Sequence, residues 1–319
     1  MFAGVITTLG NTGLSVTRIG LGLAALGRPA YINLGHAADL AGHTDVASME
    51  RAAHAVLDAA YVSGVRYFDA ARSYGKAEAF LSSWLRGRGF GPEEVTVGSK
   101  WGYTYTGEWR IDADVHEVKD LSAATFRRQL AETRELLGDH LRLYQIHSAT
   151  LDSGVLDDGK VLVGLAELRS SGVFIGLTTS GPRQAETIER ALEVGAFDAV
   201  QSTWNLLERS AGPALAMAHE AGLGVIIKEA LANGRLTDRG AVPELAAAAA
   251  DAGASPDAVA LAAVLAQPWV DVVLSGATTV EQLESNLTAL GVEVDPERFT
   301  GLLEDPETYW EQRGELPWN

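Results

Sequence analysis

The sequence predicts an α/β fold of the (β/α)8 TIM-barrel type, closed at its bottom by an N-terminal β-hairpin, and three observations carry that reading. Short β-branched and apolar runs alternate with longer stretches of helical periodicity, eight times in 319 residues. Several of the short runs, such as GVIIKEA from Gly224 and DVVLSGA from Asp271, are apolar without alternation, as parallel strands covered on both faces are. Helical stretches close on Gly64, Gly138, Gly172, Gly195 and Gly222, with the next strand a few residues on, which is how helix-to-strand joints are built. Eight units in a chain of about 300 residues suit a closed barrel better than an open doubly wound sheet.

Taken in order, ITTLGNTGLSVTRIG turns at Asn11-Thr12-Gly13 and reads as the hairpin. Strands are predicted over 18–22, 67–71, 95–100, 142–148, 173–179, 199–204, 224–230 and 271–277. Helices are predicted over 48–63, 77–86, 123–137, 161–171, 182–194, 212–221, 256–266 and 280–290, and the alanine run 246–250 reads as a further one. The first of these is amphipathic: Ala53, Val56, Leu57 and Ala60 share a face that excludes Arg51 and Asp58. Two connections, 24–46 after the first strand and 101–121 after the third, exceed ordinary joints and leave from the barrel face that bears active sites. No linker interrupts residues 1–319, so one domain is expected.

Composition narrows the function. Hydrophobic residues make 47% of the chain and charged ones 21%, the balance of a globular protein with a large core. No stretch approaches the ~20 apolar residues of a membrane span, so no membrane role is expected. Met1-Phe2-Ala3-Gly4-Val5 places no basic residue ahead of an apolar run, so no secretory signal is expected and a cytoplasmic location is the default. Cysteine is absent, which excludes disulfides, thiol nucleophiles and thiolate metal sites. The formal charge of 25 − 42 = −17 opposes nucleic-acid binding and leaves any anionic cofactor to local backbone donors and a few placed cations. The seven histidines are scattered, and His36 and His43 have no ligand spacing, so no metal is expected. There is no Gly-x-Gly-x-x-Gly or Walker-type loop, so neither a Rossmann domain nor a kinase is supported.

Polar residues fall where apolar strands end. Asp69 sits in YFDAA, Tyr74 follows five residues on, Lys100 closes VTVGSK, and His147 closes LRLYQIHSA. A lysine ending an apolar strand needs a counter-charge, and Asp69 on the neighbouring strand is the natural one. The set suits proton transfer to an oxygen gaining charge: a tyrosine is a reluctant acid, a nearby ammonium lowers its pKa, and a histidine positions the carbonyl. Singly, each has a structural explanation as helix cap, surface lysine, core histidine or packing tyrosine. Together, at three successive strand ends on one face of a barrel, they point to a catalytic set.

Here the chain resembles the aldo-keto reductase superfamily, over nearly its whole length. SGVRYFDAARSYGKAEAFL is similar to the family's aspartate and tyrosine segment, VGSK to its lysine strand, LYQIHS to its histidine strand, and LGNTGLSVTRIGLG to its N-terminal hairpin and first strand. The resemblance implies a tetrad of Asp69, Tyr74, Lys100 and His147, with Tyr74 as general acid/base. It also implies hydride transfer between a nicotinamide cofactor and an aldehyde or ketone, or the corresponding alcohol.

The other strand ends read as the cofactor cradle. Gly22, Leu23 and Asp69 lie at the first two; Gln201 suits a carboxamide and Trp204 a stacking face, with Thr179 and Ser180 where the family often has Ser-Asn. Leu231, Asn233, Gly234 and Arg235 follow the seventh strand, although Glu229-Ala230-Leu231 replaces the family's Ser-Pro-Leu. Ser275 is a further cofactor contact, Gly276, Ala277 and Thr278 lie at the start of the last helix, an anion-binding position, and Gln282 and Asn286 share one face of it for the adenine. The family's habit points to NADP; yet no Arg or Lys stands in this segment to hold a 2′-phosphate, which makes NAD a close alternative. Tyr31, Tyr74, Trp101, Tyr103 and His147 are expected to face the substrate, with Tyr105, Trp109 and Trp310 nearby, and such aromatic walls suit a sugar or an aromatic aldehyde. A cofactor-binding regulatory barrel without turnover is the alternative function, and a barrel hydrolase a more distant one. The sequence points to no particular oligomeric state.

Overall fold

The computed structural model describes residues 5–319; Met1–Gly4, on which the expectation about a secretory signal partly rests, lie outside the described residues. Strands β1 (Ile6–Thr8) and β2 (Ser15–Thr17) form the expected antiparallel hairpin, Ile6 opposite Thr17, with a 3-10 turn over Gly10–Thr12. The eight barrel strands are β3 (Ile19–Gly22), β4 (Tyr67–Asp69), β5 (Thr96–Trp101), β8 (Leu141–Ala149), β9 (Phe174–Thr179), β10 (Ala199–Thr203), β11 (Gly224–Lys228) and β12 (Val272–Ser275). They close in parallel, β12 pairing back onto β3 through Val273 and Ile19. The long third connection folds into its own hairpin, β6 (Tyr103–Tyr105) against β7 (Glu117–Lys119).

Helices surround the barrel: α1 (His36–Leu40) in the first long connection, then α2 (Val46–Val62), α3 (Ala77–Arg88), α4 (Ala123–Leu137), α5 (Gly159–Ser170), α6 (Gln184–Val194), α7 (Gly212–Glu220), α8 (Pro243–Ala252), α9 (Pro256–Leu265), α10 (Val280–Leu287) and α11 (Pro306–Glu315). Their starts are encoded locally. Asp45, Ser122 and Thr279 accept from the amides of Ser48, Thr125 and Gln282, satisfying N–H groups that a helix start leaves free. The alanine run is α8, which buries Leu245, Ala248 and Ala249 in a separate apolar cluster with Val259, Phe299 and Tyr309. No single described helix is long and apolar enough to cross a membrane.

Several strands end earlier than expected. After Asp69 the chain turns along β5, Ala70 N and Arg72 N donating to Gly98 O and Lys100 O at 2.8 and 3.1 Å. After Lys228, Glu229 takes φ 54°, a left-handed conformation that extended pairing does not admit.

The hairpin plugs the amino ends of the strands. Leu9 is fully buried in a cluster with Tyr67, Leu143, Ala199, Ile226 and Val272. Asn11 N donates to Gly222 O at 2.9 Å, and Asp271 fastens Gly10 N and Val225 N at 3.2 and 2.8 Å. A Cβ on Gly224 would stand 2.4 Å from Leu9 Cγ, so only glycine admits the plug there. Leu9→Ala is expected to lower stability by about 3 kcal/mol, the usual cost of such a core truncation. Urea unfolding measures that loss, and an unchanged cofactor affinity shows that the plug acts at the far end from the mouth.

Candidate active site

Strand ends gather the polar residues. Lys100 is 0% exposed at the end of β5, and its Nζ donates to Asp69 Oδ1 and, at 3.0 Å, to Ala70 O. The other carboxylate oxygen accepts from Tyr67 at 3.1 Å, Gln201 at 3.0 Å and Gln145 at 3.4 Å. A buried ammonium thus meets a carboxylate whose lone pairs are otherwise filled, the condition under which a buried ion pair is tolerated.

Tyr74 stands above this pair, the Lys100 ammonium 4.9 Å from the centre of its ring. His147 meets the same ring edge-on at 5.4 Å, and its Nδ1 lies 3.5 Å from Ser73 Oγ. Burial and the charge of Asp69 push the Tyr74 phenol well above its ordinary range. This differs from the expected lowering by Lys100, whose charge Asp69 already balances; the cation that most opposes the rise is Arg28. His147 is driven well below its ordinary value, first by burial, then by Lys100, Lys228, Arg28 and Lys119. It is a neutral imidazole at neutral pH.

A cavity of about 570 Å3 opens over these groups. Gly22, Asp69, Tyr74, His147, Ser180 and Gln201 line its mouth, joined by Tyr31 and Tyr103 from the two long connections. The lining continues to Leu231, Asn233 and Gly234, then to Ser275, Gly276, Ala277, Gln282 and Asn286. Other expected contacts lie elsewhere. Trp101 is wholly buried with its ring 5.0 Å from Phe126, because strand alternation turns it outward where Lys100 turns inward. Trp204 packs 5.7 Å from Trp269 in the core rather than offering a stacking face. Leu23 and Thr179 are buried behind the lining, the threonine bonded to Ser202 at 2.8 Å. Thr278 is buried behind Gly276 and Ala277. Arg235 is taken up by Glu304 and contributes no free cation. Trp109 donates to Thr44 O at 2.7 Å and ties the two long connections, while Trp310 stands against Tyr309 at 5.6 Å.

Residues that the sequence reading passed over complete the walls. Arg28 is 2% exposed, bonded to Glu117 at 2.8 Å and enclosed by Tyr31, Tyr74 and Trp318. Trp318 stacks on His116 at 4.3 Å, close to the chain's carboxyl end. Lys228 ends β11 and Glu229 follows it; burial raises the Glu229 carboxyl, yet Arg313 and Lys228 hold it down at about 2. The rule that singled out Lys100, a lysine closing an apolar strand, applies equally to Lys228.

The cavity has features that fit a dinucleotide. Asn233, on the lining, has its Oδ1 buried without a hydrogen-bond partner. A Cβ on Gly276 would meet nothing within 4 Å, so the approach to the start of α10 is open. Of the amides expected to be free there, those of Ala277 and Thr278 are instead bonded to Ser275 Oγ and Gln282 Oε1 at 3.3 and 2.9 Å, just ahead of the helix. Among the described residues no group of three or more His, Asp or Glu side chains is placed to hold a metal ion.

The fold is a closed eight-stranded parallel barrel whose polar strand ends gather at one mouth, the face on which barrel enzymes place their active sites. The chain belongs to the Aldo/keto reductase family, whose model matches residues 18–304. It is 29% identical to pyridoxal 4-dehydrogenase of Microbacterium luteolum over 69% of this chain and 68% of that one. It is 25% identical to the NADH-specific methylglyoxal reductase of Escherichia coli, over 89% and 93% of the two chains. Among solved structures it is similar to an aldo-keto reductase from Pseudomonas aeruginosa, with a TM-score of 0.67, 27% identity, and 91% and 96% coverage. The family and barrel expected from the sequence are therefore both found, and members of this family use nicotinamide cofactors.

Burial also sets a pH dependence. His36, with neither ring nitrogen bonded, is lowered by burial to about 4, and His147 is lowered too. Below the unfolded value of about 6.5, the unfolded chain binds protons at these sites that the folded chain refuses, so stability falls on acidification. His36 contributes a loss of about 2 kcal/mol between pH 7 and pH 5, and His147 adds to it in the same direction. Urea unfolding at pH 7 and pH 5 should show the decline, and His36→Asn should flatten it by that amount.

Proposed function

We propose that this protein reduces an aldehyde or ketone with a nicotinamide cofactor and runs the reverse oxidation of an alcohol, Tyr74 being the general acid and base. The observation that carries this reading is the Asp69–Lys100 pair beneath the Tyr74 ring with neutral His147 at its edge. When bound, the cofactor supplies or accepts the hydride. The protein's own part is the proton. A phenol kept protonated across the neutral range is ready to donate to a carbonyl oxygen that becomes alkoxide-like as its carbon is reduced. His147, neutral, offers that oxygen a hydrogen bond without competing for the proton; its Nε2 has no protein partner among the described residues. Lys100 and Asp69 hold the polar floor dry and fixed, so little rearrangement accompanies the charge shift.

For the cofactor, Gln201 would meet the carboxamide, Asn233 and Gly234 the pyrophosphate region, and Gln282 and Asn286 the adenine. The adenosine end favours NAD over the NADP suggested by family habit. Asp257 and Glu281 line it, and Arg239 there is ion-paired with Asp39. A carboxylate beside the ribose suits a 2′-hydroxyl and repels a 2′-phosphate. Tyr31, Tyr103 and Trp318 suit a ring-bearing substrate. The relative that acts on pyridoxal supports this choice, and a cytoplasmic, small-molecule role accords with it.

Tyr74→Phe should lower turnover about 10²–10⁴-fold while cofactor binding, read by fluorescence titration, persists. Full activity in that variant would remove the proposed acid. Initial rates of benzaldehyde, pyridoxal and hexose reduction with NADH and with NADPH settle the cofactor; kcat/KM is expected to be higher with NADH, and equal or reversed values would return the assignment to NADP. Cofactor binding without turnover across that panel would favour the regulatory barrel instead.

A further inference from the structure

The region above Tyr74 holds a charged group that the proton-transfer scheme has not used. The loop bearing Arg28 packs backbone to backbone on the loop bearing Tyr74. A Cβ on Gly27 would stand 2.2 Å from Tyr74 O, one on Gly75 would stand 2.4 Å from Gly27 O, and Lys76 N donates to Gly27 O at 2.7 Å. The position of Arg28 is therefore fixed by the chain itself. Its guanidinium carbon lies 5.2 Å from the Tyr74 ring centre and 4.8 Å from that of Trp318. One nitrogen donates to Glu117 at 2.8 Å and Ser73 O at 3.1 Å, while Nε is buried with no partner.

We propose that Arg28, held over the Tyr74 ring by Glu117, is a positioning residue that sets how readily the Tyr74 hydroxyl gives up and recovers its proton. The proposal rests on the reading of Tyr74 as acid and base. The charged groups facing Tyr74 are Asp69 and Lys100 below, Arg28 and Glu117 above, and Glu229 just after β11, with His147, Tyr31 and Tyr67 as titratable neighbours. Both cations are ion-paired, Lys100 with Asp69 and Arg28 with Glu117, and Arg28 is the one that chiefly opposes the rise of the Tyr74 phenol. Arg28 favours the ionised phenol and Glu117 opposes it, so the two halves of one ion pair act with opposite signs.

That opposition supplies the test. Arg28→Met and Glu117→Gln remove the same ion pair but leave opposite charges behind. In oxidation of benzyl alcohol, as the probe, kcat rises with pH as Tyr74 ionises. At a fixed pH on that rising limb, Arg28→Met should be about tenfold slower, one unit of pKa, and Glu117→Gln several-fold faster. Arg28→Lys keeps the charge and should stay within about threefold of the parent enzyme. Movement of the Met and Gln variants in the same direction, or lower rates with an undisplaced limb, assigns Arg28 to structure alone and overturns the proposal. If Arg28→Met does not fold, Glu117→Gln decides by itself: a faster limb supports the proposal, and a slower or unchanged one overturns it. Activity retained in Tyr74→Phe would instead sink the underlying reading, so the two failures are distinguishable.

Discussion

The organisation of the mouth depends on one buried ion pair. Lys100 closes an otherwise apolar strand, and removed from water without a partner it would cost several kcal/mol. Asp69 on the adjacent strand offsets that cost only because its remaining lone pairs are filled, by Tyr67 from its own strand, Gln145 from β8 and Gln201 from β10. One carboxylate therefore ties side chains from four of the eight strands, across the barrel rather than around it. Removing it would leave an ammonium and three donors unsatisfied together, which makes the floor of the site rigid. Tyr74 and His147 are placed on that floor, and the long connections can vary above it.

The two ends of the barrel use buried carboxylates differently. At the bottom, Asp271 accepts from backbone amides of the hairpin and β11, and apolar Leu9 fills the space beside it. At the top, Asp69 and Glu229 face side-chain cations and open into a cavity. Two non-glycine residues with left-handed backbone, Ser148 at φ 53° and Glu229 at φ 54°, both line that cavity at strand ends. Such conformations persist where surrounding contacts over-determine them, as the bidentate Arg313–Glu229 pair does here.

How far the site was legible follows from how local each cause is. The barrel strands, the hairpin and the four polar residues were readable because apolar runs, glycine joints and a lysine at a strand end are local signals. Trp101 was misplaced by one residue of alternation: adjacent to Lys100, it points to the opposite side of the sheet. Trp204 looked like a stacking face until Trp269, 65 residues away, packed against it. Arg28 carries no local signal at all. Its importance arises from Glu117 and Trp318, 89 and 290 residues away, and only folding brings them together. Arg235, by contrast, looked available in sequence and is consumed by Glu304.

These distant contacts explain how a chain with a formal charge of −17 gathers four cations around one mouth. Lys100, Lys228, Arg28 and Lys119 all act on His147, yet carboxylates balance the first and third closely, and Glu229 is claimed chiefly by Arg313. What remains is a field from fixed cations around a buried, neutral imidazole, where such charges are screened less than in open water. The C-terminal segment is part of that enclosure. Arg313 binds it to the end of β11, and Tyr31 and Asn319 exchange backbone hydrogen bonds at 3.1 and 3.3 Å, setting Trp318 against Arg28. The last residues of the chain thus close the wall that the loop after β3 begins, and the polarity of the mouth is a property of the whole fold rather than of the four strand-end residues alone.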